Sequence, residues 1–295
     1  MKKFLILTLF LALIIPVGLF ASGSTPKCNT KYPIVLAHGM GAQAVIVGIV
    51  DYWWDLESAL EDEGAKVYIT SVNGMDTTAN KAASFKTQFL QILAVSGSTK
   101  ANIIAHSHGT LYTRYAISNL GLGLKVASYT SLCGPHRGSA VADWVMNTIP
   151  KGSWNLVGGA LDIVYTFVFG DKNPQSLANG IQVTRPYMNN VFNPNVPNIA
   201  GLYYQSWASK IRYASSSIIL EIPWLIDKYY EGDNDGLVAV SSAKWGNFRG
   251  VQEGSLLTPG VDHLNMVNQL FGITPGFDAP NFYISMVQDL KNRGY

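Results

Sequence analysis

The sequence has little cysteine, with only Cys28 and Cys133 among 295 residues. That excludes a disulfide-stapled scaffold, and no CxxC or Cys/His spacing of the metal-binding kind is present. It also lacks an excess of either charge: 21 Lys+Arg stand against 19 Asp+Glu, for a net charge of +2. Without basic clusters there is no electrostatic case for nucleic acid or for an anionic membrane surface as a partner. Internal repeats and low-complexity tracts are missing too, and a hydrophobic fraction of 48% is ordinary for a globular domain.

The single long apolar run is at the start. Met1-Lys2-Lys3 precedes a mostly apolar stretch from Phe4 to Phe20, followed by the small residues Ala21, Ser22 and Gly23. A basic, then apolar, then small order reads as a secretory signal peptide. The run sits at the short edge of what spans a bilayer, roughly 17 residues, and Pro16 and the small residues favour cleavage after Ala21. Residues 1–21 are therefore expected to be removed, leaving 22–295 as one secreted domain, extracellular or periplasmic. Lys2 and Lys3 leave with the segment, so the mature chain is close to neutral.

Beyond it, short β-branched apolar runs alternate with helical patterns. Pro33–Ala37, Lys66–Thr70, Asn102–Ala105 and Lys125–Leu132 read as strands. Asp51–Glu63, Thr78–Val95, Ser107–Leu120 and about Ala140–Met146 read as helices, the second after an Asp76-Thr77-Thr78 start signal. Alternation of this kind implies a mostly parallel sheet with helices on both faces. On this reading Cys28 and Cys133 fall at opposite ends of neighbouring strands, beyond the roughly 7 Å that a disulfide tolerates between Cα atoms, and no bridge is expected. From about Ile149 to Asn198 the rhythm breaks, giving an insertion after the fourth strand that is longer than an ordinary connection. Ile199–Trp207 resumes as a strand, Leu237–Val240 is a short apolar segment, and Phe282–Lys291 closes the chain as a helix.

The strongest chemical signal is Ala105-His106-Ser107-His108-Gly109, at a strand-to-helix junction. A nucleophilic serine there must project from a tight turn, and small residues two before and two after it let strand and helix approach. Such a serine needs an adjacent base. Of the five histidines, His106 and His108 flank the serine, His38 ends the first strand and His136 follows the fourth. That leaves His263, late in the chain, as the base. The acid should lie between them, and Glu231-Gly232-Asp233-Asn234-Asp235-Gly236 offers Asp233 and Asp235, which spacing alone does not separate. Two backbone N–H groups must face the developing oxyanion. His108, after the nucleophile, supplies one; Met40, in the His38-Gly39-Met40-Gly41 loop, is the candidate for the other.

These residues resemble a known family. Lys31-Tyr32-Pro33-Ile34-Val35-Leu36-Ala37-His38-Gly39-Met40 is similar to the opening strand of the secreted bacterial true lipases of the Pseudomonas and Burkholderia type, within the α/β-hydrolase superfamily. Asp51-Tyr52-Trp53, the serine segment, Gly134-Pro135-His136-Arg137-Gly138-Ser139, Asn234-Asp235-Gly236-Leu237-Val238 and His263-Leu264-Asn265-Met266-Val267-Asn268-Gln269 resemble that family's segments in the same order. The resemblance implies a triad of Ser107, Asp235 and His263, with Asp233 left as a turn residue, and oxyanion donors at Met40 and His108. It also implies hydrolysis of acylglycerol esters at a lipid–water interface and a lid within Ile149–Gly170. Some relatives use a dedicated folding chaperone during export, which makes one a candidate partner.

The family's structural calcium is not expected here. Asn265 stands where an aspartate belongs and Ser209–Leu220 offers no second acid, so Asn265, Gln269 and Ile273 would be the remaining ligands. Calcium prefers six to eight oxygens, usually including carboxylates. No cofactor is therefore required. A family disulfide also has no counterpart, since Ser241 occupies one expected cysteine position. The alternatives are a secreted carboxylesterase or polyester depolymerase with the same triad, and an inactive binding module of this fold. Exported from a secreting host, the mature chain is expected to begin at Ser22; an intact mass that retains residues 1–21 would refute removal of the segment.

Overall fold

The computed structural model describes residues 25–40, 45–46, 50–158, 175–217, 220–269 and 271–295. The expected signal segment, residues 159–170 of the expected lid and residues 171–174 of the insertion lie outside them. Six strands form one sheet: β1 (Ile34–Ala37), β2 (Val67–Thr70), β3 (Ala101–His106), β4 (Val126–Leu132), β5 (Tyr203–Ser209) and β6 (Asn247–Gln252). The spatial order is β2-β1-β3-β4-β5-β6, and every neighbouring pair is parallel. Val45–Ile46 and Val50–Asp51 make a separate antiparallel ribbon.

The pleat sorts each strand between two cores. Ile34 and Leu36 of β1 pack with Leu56 and Leu60 of α1 (Leu56–Asp62) and with Tyr283 and Met286 of a C-terminal helix (Ala279–Asn292). Val35 and Ala37 face the other way, against Phe85 and Phe89 of α2 (Thr78–Ser96) and Tyr112 and Ala116 of α3 (Gly109–Asn119). Both faces are covered, so β1 and β3 can be buried along their whole length. α2 begins as its start signal predicts, with the Thr77 hydroxyl accepting from the Asn80 N–H.

Two expectations need correction, and two further segments take their form from the fold. The first helix begins at Leu56, not Asp51: the Asp51 carboxylate takes the Trp53 N–H at 2.9 Å, and Asp55 at φ 57° holds a turn. Cys28 and Cys133 do not border neighbouring strands, because β3 lies between β1 and β4; both are buried free thiols. Leu237–Val240 is not part of a strand, and the turn holding Asp235 follows α6 (Glu221–Tyr230). Finally, β6 gave no apolar alternation because it is the sheet's edge, where Arg249 lies over the Trp207 ring and pairs with Asp289.

The described part of the insertion is helical. α4 (Ala140–Thr148) leads into it, α5 (Ser176–Gln182) follows, and short turns at Arg185–Tyr187, Met188–Phe192 and Asn193–Asn195 continue it. Pro186 and Pro194 sit in first turns, where a missing N–H costs nothing. Met188, Phe192 and Val196 cover Leu111 of α3, while Asn193 donates to the His136 carbonyl and Asn189 to that of Arg137.

The tightest joint is between β1 and α3. A Cβ on Gly109 would meet the Ala37 carbonyl and lie 2.7 Å from that of His38. Gly109→Ala is therefore expected to lower stability by about 2–3 kcal/mol, an overpacking cost, measured as a shift in the urea midpoint. An unchanged midpoint would mean that α3 can back away from the sheet.

Candidate active site

Ser107 stands where β3 ends and α3 begins. It has φ 55°, a left-handed conformation that costs a non-glycine residue roughly 1–2 kcal/mol. The turn is over-determined. The Ser107 N–H bonds the Leu132 carbonyl at 2.9 Å, and its own carbonyl accepts from the Thr110 N–H at 3.0 Å and the Thr110 hydroxyl at 2.7 Å. On the other side, a Cβ on Gly39 would lie 2.8 Å from Ser107 Cβ, so the loop after β1 passes directly against the serine. Ala105 is fully buried, as an elbow requires.

His263 and Asp235 come from different ends of the fold. The chain beyond β5 bridges Ile211 to Gly260, and Val261 N–H bonds the Lys210 carbonyl at 2.9 Å. This strip carries His263 to the C-terminal edge of the sheet. Asp235 sits in a turn held by buried Asn234, whose side chain donates to the Gly232 carbonyl and accepts from Gly236 N–H. His263 Nδ1 then meets Asp235 Oδ2 at 2.8 Å, with both side chains buried. Oδ1 of Asp235 takes the N–H groups of Leu237 and Val238, at 3.0 and 2.9 Å. Asp233, by contrast, points outward and pairs with Lys210 and Lys228. The geometry separates the two aspartates that spacing left equivalent.

Burial sorts the histidines. His38 is pushed down to about 4 by desolvation, and His106, His108 and His136 well below their ordinary range for the same leading reason. His263 is equally buried, and desolvation is again the largest influence, pulling it down. The charge and hydrogen bond of Asp235, with the charges of Asp262 and Asp227, outweigh that pull and leave it raised. Of five buried rings, only this one is made more basic than a free histidine.

The neutral rings organise the loop after β1 and the elbow, a role that elimination by position did not reveal. The Gly39 N–H donates to Tyr52 Oη at 3.0 Å, and that hydroxyl meets His106 Nδ1 at 2.6 Å. Tyr52 Oη thus joins the loop after β1 to the elbow through a single atom. His38 accepts from the Val72 N–H through Nε2 and donates from Nδ1 to the Gly39 carbonyl. Lys81, buried in α2, donates to His108 Nδ1 at 3.1 Å and to the Gly74 carbonyl at 2.7 Å, and His108 Nε2 turns to Thr78. Tyr52 and Lys81 bore no local mark of these roles; Asp51-Tyr52-Trp53 was the one signal, and it carried no assignment.

Ser107, His263, Met40 and His108 all line one cavity of about 450 Å3, whose remaining walls include Met75, Val141, Val145, Met146, Leu237 and Leu264. Such a space, apolar with a few convergent polar groups, suits a small organic ligand. Of the expected lid, the described portion 149–158 holds Leu156, exposed to solvent; Leu161, Val164, Phe167 and Phe169 lie outside the described residues.

The residues expected to remain for calcium do not fit the ion. Asn265 Oδ1 is engaged by the Asp262 N–H at 3.2 Å, while Asp262 Oδ1 accepts from Leu264 and Asn265 N–H at 2.9 and 2.7 Å. Gln269 directs its amide N–H groups to the Asp51 and Tyr52 carbonyls at 2.6 and 2.8 Å, and Ile273 is exposed. This reciprocal turn holds the His263 loop through hydrogen bonds between Asp262 and Asn265.

The chain is similar to known lipases and esterases over most of its length. The family profile described as palmitoyl protein thioesterase matches residues 33–217. A triacylglycerol lipase of Vibrio cholerae is 31% identical over 288 residues, covering 90% of this chain and 89% of its own length. One from Burkholderia plantarii is 33% identical over 181 residues, covering 59% of this chain and 50% of its own. Among solved structures, a metagenomic carboxyl esterase superposes with a TM-score of 0.70 at 18% identity, over 92% of this chain and 77% of the other, a likeness of fold.

Two outcomes follow from the networks. Tyr52→Phe leaves the buried Gly39 N–H unpaired, an expected loss of about 1–3 kcal/mol, and should lower kcat more than it raises KM, because the loop after β1 loses its anchor; an unchanged kcat would remove Tyr52 from the site. Asp227 is pushed up to about 7 by burial, then by Glu231 and Asp235. The folded state thus keeps a proton that the unfolded chain has released, and stability falls as pH rises from the ordinary carboxyl range through 7. Asp227→Asn should raise the urea midpoint at about pH 8 relative to wild type, and that advantage should shrink steadily as pH falls towards the ordinary carboxyl range, below which the carboxyl is protonated in both the folded and the unfolded chain; a lower midpoint at pH 8 would reverse the sign.

Proposed function

This chain belongs to the triacylglycerol lipases of the α/β-hydrolase fold and to the palmitoyl protein thioesterase family, and we propose that it cleaves acylglycerol esters through Ser107, His263 and Asp235. What carries the reading is the buried Asp235–His263 hydrogen bond of 2.8 Å, opening onto the same apolar cavity as a serine in a left-handed turn. A kinship with the Pseudomonas and Burkholderia lipases in particular is supported by six ordered segments and by the Burkholderia plantarii identity. Export after removal of residues 1–21 belongs to the same proposal.

The reaction proceeds in two balanced steps. His263 Nε2 takes the Ser107 hydroxyl proton as Oγ attacks the ester carbonyl, and Asp235, bound to Nδ1–H, stabilises the imidazolium. The N–H groups of Met40 and His108 hold the oxyanion. His263 then returns the proton to the leaving alkoxide, which departs as alcohol and leaves an acyl-serine. Water repeats the sequence: His263 takes its proton, the hydroxide attacks the acyl carbonyl, and Ser107 is released with the fatty acid.

His263 must be neutral to act, so kcat/KM should fall as pH drops through its raised pKa, with an inflection above the ordinary 6.5. Asp235→Asn should move that inflection downward while costing on the order of 10⁴ in kcat; a profile that stays put would dissociate Asp235 from the base. Because the His263 loop is held by Asp262 and Asn265, we propose that turnover needs no calcium and survives chelation.

The decisive measurement is the initial rate on trioctanoin across its solubility limit, for wild type and Ser107→Ala. The variant should fold and lose about 10⁵- to 10⁶-fold in turnover, and wild type should accelerate when the emulsion forms. A rate indifferent to the interface but abolished in the variant would mark a soluble-ester esterase; an active variant would end the assignment of Ser107.

A further inference from the structure

Behind the catalytic histidine lies a group that hydrolysis does not use. Cys133 follows β4 in a left-handed conformation, φ 50°, fully buried. Its sulfur lies 3.1 Å from Ser209 Oγ, which in turn reaches Asp235 Oδ2 at 3.4 Å. His106 stacks obliquely on His263 with ring centroids 4.5 Å apart. Its Nδ1 is bonded to Tyr52, and the buried ring also interacts with the His263 backbone. Each of His106, Cys133 and His263 places one ligand atom within 4.8 Å of those of the other two.

We propose that these three side chains form an inhibitory site for a thiophilic divalent cation, with Zn2+ as its type. One thiolate and two imidazoles are a donor set that zinc favours over magnesium or calcium. Zinc–sulfur bonds near 2.3 Å and zinc–nitrogen bonds near 2.0 Å put tetrahedral ligands roughly 3.5 Å apart. Present separations of up to 4.8 Å therefore close by about 1 Å at most on binding. The charge balances as well, since the thiolate and the adjacent Asp235 carboxylate together offset a dication. Binding releases the Cys133 proton. His106 ligates through Nε2 as the tautomer that carries its proton on Nδ1, from which it donates to Tyr52 Oη. His106 and His263 line the cavity, which supplies the entry path.

The consequence for catalysis does not depend on which nitrogen of His263 is captured. If the cation takes Nε2, the lone pair that accepts the serine proton is gone. If it takes Nδ1, the bond to Asp235 breaks and the neutral ring carries its proton on Nε2. Either way the general base is lost. This consequence rests on the proposed triad; the binding itself does not.

The test has two arms. Hydrolysis of a soluble p-nitrophenyl ester is titrated with ZnCl2 in a non-chelating buffer, with each variant compared to its own zinc-free rate. Wild type should be inhibited at micromolar zinc, recover fully with EDTA and ignore Mg2+ and Ca2+, while Cys133→Ala should need at least tenfold more zinc. Inhibition at equal zinc in both proteins would overturn the site. The second arm needs no turnover: Ser107→Ala is titrated with Co2+ and read for a near-ultraviolet thiolate-to-cobalt charge-transfer band. The band should vanish in Ser107→Ala combined with Cys133→Ala, or with Cys133→Ser if the alanine protein does not fold. No band in Ser107→Ala refutes the proposal. A band in Ser107→Ala, with wild type hydrolysing normally under saturating zinc, keeps the cation site but overturns the inhibition and with it the role of His263.

Discussion

A buried carboxylate bonded to a buried imidazole organises this molecule. Charging an imidazole away from water is unfavourable, and four of the five histidines respond by staying neutral. His263 escapes because Asp235 is brought to 2.8 Å and is itself sustained by two backbone N–H groups and the Ser209 hydroxyl. Those contacts come from the end of β5 and from the turn after α6, so the pair exists only when both are docked. The neutrality of the other rings serves the same end. A charged His106 beside His263 would repel the imidazolium that the reaction creates.

Around that pair the backbone is strained at chosen places. Ser107 and Cys133, at the ends of the adjacent strands β3 and β4, are both in the left-handed region, and the Ser107 N–H bonds the last residue of β4. Gly39 and Gly109 allow the loop after β1 and the helix after β3 to close on the serine from two sides. The Tyr52 hydroxyl then ties Gly39 to His106. Strain of a few kcal/mol persists only where surrounding contacts over-determine it, and here a continuous hydrogen-bonded shell does so.

Much of the architecture was legible because its cause is local. β1 and β3 are buried on both faces, so their sequences are largely apolar runs, whereas β4 is as buried but carries Ser128, Thr130 and Ser131. α2 announces itself with Thr77, and the small-x-Ser-x-small string at Ala105–Gly109 marks the elbow by sterics alone. The edge strand β6 and helix α6 were not legible. β6 carries Arg249 and Gly250 where alternation is expected, and α6 turns Ile222, Leu225 and Tyr229 to solvent, which blurs its apolar face. The Asn- and Pro-rich stretch before Ile199 looked irregular because its prolines begin helical turns and its asparagines bond to the loop after β4, a partner more than fifty residues away.

The same distinction divides the site. Ser107, His263 and the loop at Met40 could be singled out from order and local geometry, since a tight strand-to-helix elbow is a property of five consecutive residues. Asp235 was separable from Asp233 only by resemblance until folding buried one and left the other among lysines. The proximity of Cys133 to His263 and the anchoring by Tyr52 and Lys81 were decided by tertiary structure alone. A sequence specifies conformation within a turn or a strand, whereas hydrogen bonds and burial between remote segments arise only when the sheet brings their ends together.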